Sequence, residues 1–266
     1  VARQDRLTRW ATHHLATTSD RSLPAMLEAA LERRFSASPG ERFFTGGGVH
    51  TFGNFNASDD GREPTLREAL RASINLPFVR LMREIVRHTM YQVPGSTAQL
   101  LEDAEDPRRA EYLARFADRE GQTFVRRFWR KYEGRSAEEM RSLLLDGLRP
   151  SAERLSAVFR YLEPEAPPAA LAAFLARRLG GAPLYEGRIA QDSRIFTLLE
   201  VEAFLDIHGR WARLGYPFAH LVPSLATALG SSGDRPAALA ELMGIIVNDG
   251  VRLPTRRIDR LRFAMD

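Results

Sequence analysis

Residues Thr65 to Arg80 read TLREALRASINLPFVR, and the rest of the chain is best understood outward from them. Thr65 and Glu68 have capping-box spacing, so a helix is expected to start there with Leu66, Ala69 and Leu70 on its apolar side. The helix runs into Ser73, and Pro77 keeps it from continuing smoothly, because proline lacks the N–H donor and clashes with the preceding turn. A second helix, from about Leu76 to His88, should follow with Asn75 near its N-cap. Ser73-Ile74-Asn75 thus presents two short polar side chains at a tight helix–helix corner. A lone Ser-x-Asn usually only caps helices, so what flanks the corner decides whether it does more.

Punctuation organises the remainder. Arg3 to Thr17 has Leu7, Trp10 and Leu15 at roughly helical spacing, and a polar break at Thr18 to Ser22 precedes a helix expected from Pro24 to Phe35. Gly40 to Gly61 is irregular: Gly46, Gly47, Gly48 and Gly53 favour turns, with Phe43, Phe44, Val49, Phe52 and Phe55 as core plugs or short extended pieces. A triple glycine can cradle phosphate, but no Gly-Lys-Ser/Thr follows it, so a loop is the reading. Further on, Asp106-Pro107 looks like an N-cap with a first-turn proline, opening a helix with Tyr112, Leu113 and Phe116, then Phe124, Phe128 and Trp129. Ser136 and Glu139 form a second capping box ahead of Met140, and helices are expected at Ser151–Leu162, Pro168–Leu179 and Asp192–His208. Breaks at Gly147, Pro164 and Gly180-Gly181-Ala182-Pro183 separate them.

Composition sets outer bounds. A chain of 266 residues, 44% hydrophobic and 27% charged, can bury a substantial core and belongs to the globular class. It has no cysteine, which removes disulfides and thiolate metal sites from consideration. The histidines, His13, His14, His50, His88, His208 and His220, have no zinc-motif spacing, so neither a metal nor a cofactor is expected. Glu84 and His88, four apart, read as a surface pair. No apolar run is long enough for a membrane span and no signal peptide opens the chain; with Val1 first, it reads as a processed or excised piece. A net charge of +4 is small for this length, and arginine pairs such as Arg108-Arg109 and Arg126-Arg127 read as solvated surface. Nucleic acid is not expected as a partner.

Two further stretches give the corner its context. Pro24 to Asn54 reads PAMLEAALERRFSASPGERFFTGGGVHTFGN, and Leu221 to Pro254 reads LVPSLATALGSSGDRPAALAELMGIIVNDGVRLP. With the corner between them, these phrases in this order resemble the transpeptidase domain of class A, bifunctional penicillin-binding proteins. That resemblance implies a mainly α chain: the helical part of the β-lactamase-like transpeptidase fold, with little or no sheet. Residues 1–266 would form one partial transpeptidase-like domain carrying an all-helical insertion at about 93–213. The family's Ser-x-Asn lines the substrate cleft, so the resemblance makes Ser73 and Asn75 substrate-binding residues.

The family's acylation chemistry is missing. Such enzymes use a Ser-x-x-Lys, the Ser-x-Asn and a Lys-Thr-Gly, the first serine attacking once the lysine is deprotonated. Carrying the family's first helix onto Pro24 to Glu32 puts Asp20 at the nucleophile position and Leu23 at the lysine position. Lys131 is the single lysine among 38 Lys and Arg, so no Ser-x-x-Lys exists in any register. Ser151-Ala152-Glu153-Arg154 is the nearest imitation, and an arginine stays protonated. No Lys-Thr-Gly occurs either; in the family it follows beyond the point where this sequence ends.

The expectation is therefore a catalytically impaired transpeptidase-like region in cell-wall assembly, a scaffold or a site that binds the stem peptide without cutting it. Implied partners are a peptidoglycan stem peptide or precursor, the companion glycosyltransferase domain and a cell-wall assembly protein met by the insertion. The implied location is the periplasmic side of the cytoplasmic membrane, anchored by a segment outside this chain. The other reading is an all-helical interaction module that binds an anionic partner through its arginines. An active acyl-transfer enzyme would require Ser19 or Ser22 to work with a base from elsewhere in space.

Overall fold

A computed structural model describes residues 5–45, 48–92, 97–127, 129–145 and 151–253. Gly46, Gly47, Phe128, Gly147, Pro254 and the side chain of Trp129 lie outside the described residues. The fold is mainly α, with 63% helix against 3% strand. The described residues fall into two compact units, one formed by the chain up to Thr89 and from Val201 onward, the other by Met90–Glu200.

The first unit opens with α1 (Arg6–Thr17), whose N-cap Asp5 accepts a hydrogen bond from the Thr8 amide at 2.9 Å. Helix α2 (Leu23–Leu31) is capped by Ser22 and takes Pro24 in its first turn, where a missing N–H costs nothing. Strands β1 (Phe43–Thr45) and β2 (Gly48–His50) pair antiparallel, Phe43 opposite His50 and Phe44 opposite Val49. Of the loop aromatics expected as core plugs, Phe43 is buried with the Phe52 ring edge-on to it at 5.3 Å, whereas Phe44, Val49 and Phe55 are exposed. The period-two alternation of a half-covered strand explains Phe43 against Phe44. Helix α3 (Leu66–Arg71) has the anticipated capping box in full, and α4 (Asn75–Gln92) starts at the residue expected near its N-cap. Leu76, Val79, Met82 and Val86 make the buried stripe of α4, and Ala37, Ala69, Ile74 and Phe78 pack where α3 meets it.

Two arginine clusters tie this unit together. The Arg33 guanidinium lies 4.9 Å from the ring centroids of both Trp10 and Phe35 and bonds Glu84 at 2.5 Å. Glu84 is buried, and His88 meets Thr8 and Asp5 instead, so the two do not form the expected surface pair. Both lie on the face of α4 that α1 and the Arg33 segment cover.

In the second cluster Arg80 and Arg83 share Glu41 while their guanidinium groups sit over the Phe43 ring. Burial alone would raise the Glu41 pKa, but Arg83 and Arg80 together hold it below the ordinary value. A lowered folded pKa stabilises above the unfolded value of 4.5 and is lost as pH falls through the folded one. Urea unfolding below pH 4.5 should therefore show a shallower acid loss for Glu41→Gln than for the parent chain.

The second unit contains α5 (Thr97–Glu102), α6 (Arg108–Arg127), α7 (Trp129–Tyr132), α8 (Ala137–Leu145), α9 (Ala152–Leu162), α10 (Pro168–Leu179) and the first part of α11 (Arg188–Arg213). The local signals hold. Asp106 accepts from the Arg108 amide at 2.9 Å, Ser136 and Glu139 exchange both bonds of a capping box, and α10 ends on Gly180 at φ 56°. Arg109 corrects the expectation of a solvated Arg108-Arg109 pair: it is buried, donating to the Leu100 carbonyl and to Asp192 at 2.6 Å.

Helices α6 and α9 cross through small residues: Gly121 faces Ser156 and Ala157, and Ala117 is buried in the cluster that holds Ala152, Leu155 and Phe159. At this crossing Arg160 forks onto Asp118, Nε to Oδ1 at 2.6 Å and Nη2 to Oδ2 at 2.8 Å. Leu155, Phe159, Leu171 and Leu175 close the core against α10. Past the boundary at Glu200, the chain completes α11, makes a 3-10 turn at Leu225–Leu229 and forms α12 (Pro236–Val247) in the first unit.

Candidate functional site

The Ser73 corner is a helix end followed at once by a helix start. The Ile74 amide bonds back to the Ala69 carbonyl at 2.9 Å, and the Ser73 amide to the Leu70 carbonyl at 3.3 Å. That pair of bonds is a Schellman ending, and the fully buried Ile74 against Ala69 supplies its usual apolar contact. Ser73 sits at the left-handed position, φ 54°, that glycine normally fills. Its side chain is exposed, and its hydroxyl has no hydrogen-bond partner among the described residues. Ser73→Gly is expected to raise stability by about 0.5–1 kcal/mol, since a left-handed L residue costs roughly 1–2 kcal/mol and the greater unfolded freedom of glycine takes back roughly half of that. A higher urea midpoint at unchanged slope would register the gain.

Asn75 is half-buried and donates from Nδ2 to the Gly53 carbonyl at 3.1 Å. The start of α4 is satisfied by a residue the sequence reading missed. Asn54 Oδ1 accepts from the Leu76 amide at 3.1 Å, while its Nδ2 donates to Ala37 O at 2.7 Å and to Asp60 at 2.9 Å. Nothing local marks Asn54 as a cap for a helix 22 positions later. The Gly53-Asn54 loop and the corner are thus held as one piece, with Ser73 Oγ left outward.

Asp20 and Leu23 sit just before α2 and at its first position. Asp20 accepts from the Ser22 amide at 2.9 Å, and its bonds from Ser22 hold its carboxyl below the ordinary value, so it is an anion at neutral pH. Leu23 is 67% exposed. Ser22 Oγ accepts from the Ala25 amide as the helix cap. No described hydrogen bond or ion pair joins Asp20 or Leu23 to Ser73 or Asn75; the link between α2 and α3 is Arg67, bonded to Glu32 at 2.8 Å and to Glu28. The Ser22 hydroxyl also bonds the Asp20 carboxylate, and both residues are exposed.

The third phrase, around PSLATALGSSGD, stitches a loop. Thr227 Oγ1 donates to the Val222 carbonyl, Ser232 Oγ accepts from the Val222 amide at 2.9 Å, and Thr227 and Ser232 lie 2.8 Å apart. Asp234 closes it by accepting from the Ala219 amide, which, with the Arg235 amide, keeps its carboxyl below the ordinary range. Among the described residues no group of three or more His, Cys, Asp or Glu could hold a metal, and no helix is long and apolar enough to cross a membrane. No family model, curated protein or solved structure matches this chain.

Proposed function

We propose that this chain is the transpeptidase-like region of a peptidoglycan-synthesising penicillin-binding protein whose acylation chemistry has been lost, and that Ser73 and Asn75 form the wall of a cleft that binds a stem peptide without cutting it. The observation that carries this reading is the Ser73 backbone. A serine at φ 54° is held where glycine would fit with less strain, and its hydroxyl is left exposed and without a partner among the described residues. Strain of this kind persists where a side chain is wanted for something other than packing. Two residues on, Asn75 is anchored through its Nδ2, and its Oδ1 has no hydrogen-bond partner among the described residues.

Exposed apolar faces support the same reading. Leu23 and Leu27 on α2, and Leu239, Met243, Ile246 and Val247 on α12, are exposed, which suits a region whose sheet lies outside the described residues. The site would act on the periplasmic side of the membrane, next to a glycosyltransferase domain, with the helical unit as the surface for an assembly partner. The anionic-partner reading has less behind it, because Arg33, Arg80, Arg83, Arg109 and Arg160 are committed to intramolecular partners. A fluorescent penicillin incubated with the chain should leave its intact mass unchanged. A covalent adduct on a serine of this region would overturn the loss of acylation.

A further inference from the structure

The helical unit carries a cavity of about 560 Å³ between the start of α9, the end of α10 and the loop leading into α11. That volume falls within the range of small-ligand pockets, roughly 300–1,000 Å³. Its wall holds charge of both signs. Glu120 of α6, Glu153 in the first turn of α9 and Glu186 of the loop stand with Arg178 in the last turn of α10 and Arg194 of α11.

Some of these groups are engaged already. Glu120 accepts from the Tyr185 hydroxyl at 2.7 Å, and Glu186 has an interaction of its own. Arg194 stacks on the Tyr185 ring at 4.0 Å and gives Nη1 to the Ala190 carbonyl. One group of each sign is left over. Glu153 takes part in no hydrogen bond or ion pair among the described residues. The same holds for Arg178, which is exposed and whose guanidinium meets only the Phe174 ring, at 5.6 Å. In a wall that simply neutralised itself these two would pair, and no ion pair joins them. Arg194 adds a further unmet donor: its Nε is buried and has no hydrogen-bond partner, which costs the full desolvation of that group.

Ligands of a single sign fit this wall poorly. A cation alone leaves Arg178 and the Arg194 Nε unserved, and an anion alone is set against Glu153 and Glu120, where like charge is costly. We propose that this cavity binds a small zwitterion, an ammonium and a carboxylate on one short chain, with the ammonium at Glu153 and Glu120 and the carboxylate at Arg178 and Arg194. The inference stands apart from the stem-peptide reading of the Ser73 corner and survives its failure.

The test is calorimetric titration of the 266-residue chain with glycylglycine, and in parallel with putrescine and with succinate, which carry one sign only. Saturable glycylglycine binding is expected, about tenfold or more tighter than either single-sign probe. Glu153→Gln and Arg178→Gln should each weaken it about tenfold, the worth of one charged hydrogen-bond partner. Two variants on separate helices keep the test sound if one of them fails to fold. Ser73→Ala should bind glycylglycine as the parent chain does, which separates this result from that of the corner. No saturable glycylglycine binding, undiminished binding by the Glu153 or Arg178 variant, a single-sign probe that binds as tightly, or loss of binding in Ser73→Ala would overturn the proposal.

Discussion

Gly121→Ala is expected to destabilise the chain by about 2–3 kcal/mol, the upper part of the range for overpacking a close-packed interior. In an open helix the same change stabilises by about 1 kcal/mol, because alanine has the better helix propensity. At Gly121 the sign reverses. A Cβ there would lie 2.7 Å from Ala157 N, from the Ser156 carbonyl carbon and from Ser156 Cβ. Two of those atoms are backbone and cannot swing aside, so α6 and α9 must separate along their contact. Gly209 in α11 supplies the internal control, since nothing beyond the backbone of its own helix lies within 4 Å of a Cβ built on it. Gly209→Ala should therefore gain roughly the propensity difference of 1 kcal/mol. Chemical denaturation of the two variants should move their midpoints in opposite directions.

Arg160→Met is expected to cost about 3–5 kcal/mol, because it leaves a buried carboxylate without its cation. Arg160 and Asp118 have side chains 7% and 12% exposed, so water cannot replace the lost partner. The same guanidinium also holds the α9–α10 connection, donating to the Ala166 carbonyl at 2.5 Å and the Pro164 carbonyl at 3.3 Å. The companion variant separates the charge from the packing. Arg160→Met combined with Asp118→Leu removes both ions and should recover much of the loss, since a buried pair replaced by apolar groups of similar volume is often close to neutral. A double variant as unstable as the single one would locate the cost in the Pro164 and Ala166 contacts instead.

What could be read from the sequence was what is decided within a turn of chain. The capping boxes at Thr65–Glu68 and Ser136–Glu139, the Asp106-Pro107 start and the Pro168 to Gly180 span of α10 all depend on side chain and backbone a few residues apart. The features hidden from it depend on a distant partner. Gly121 looks like a weak point in a helix until Ser156 and Ala157 are placed against it. Arg109 looks like surface until Leu100 and Asp192 surround it, and Asn54 looks like a loop residue until the start of α4 reaches it. In the β1 segment the sequence showed aromatic density but not which ring turned inward.

The corner lies between these cases. Its helix boundaries were legible, but the left-handed Ser73 was not, because serine carries no signal where glycine would. The roles of Ser73 and Asn75 rest on resemblance, and the geometry adds an exposed hydroxyl at Ser73 and an anchored amide at Asn75. That arrangement can be examined without disturbing the fold, since the Ser73 hydroxyl bonds to no described residue.

The most direct measurement is a fluorescence-anisotropy titration of a labelled stem peptide with the parent chain and with Ser73→Ala. The account predicts saturable, reversible binding that weakens about fivefold in the variant, the worth of one neutral hydrogen bond, with the urea midpoint not lowered. Absence of saturable binding, or identical affinity in the two proteins, would contradict it.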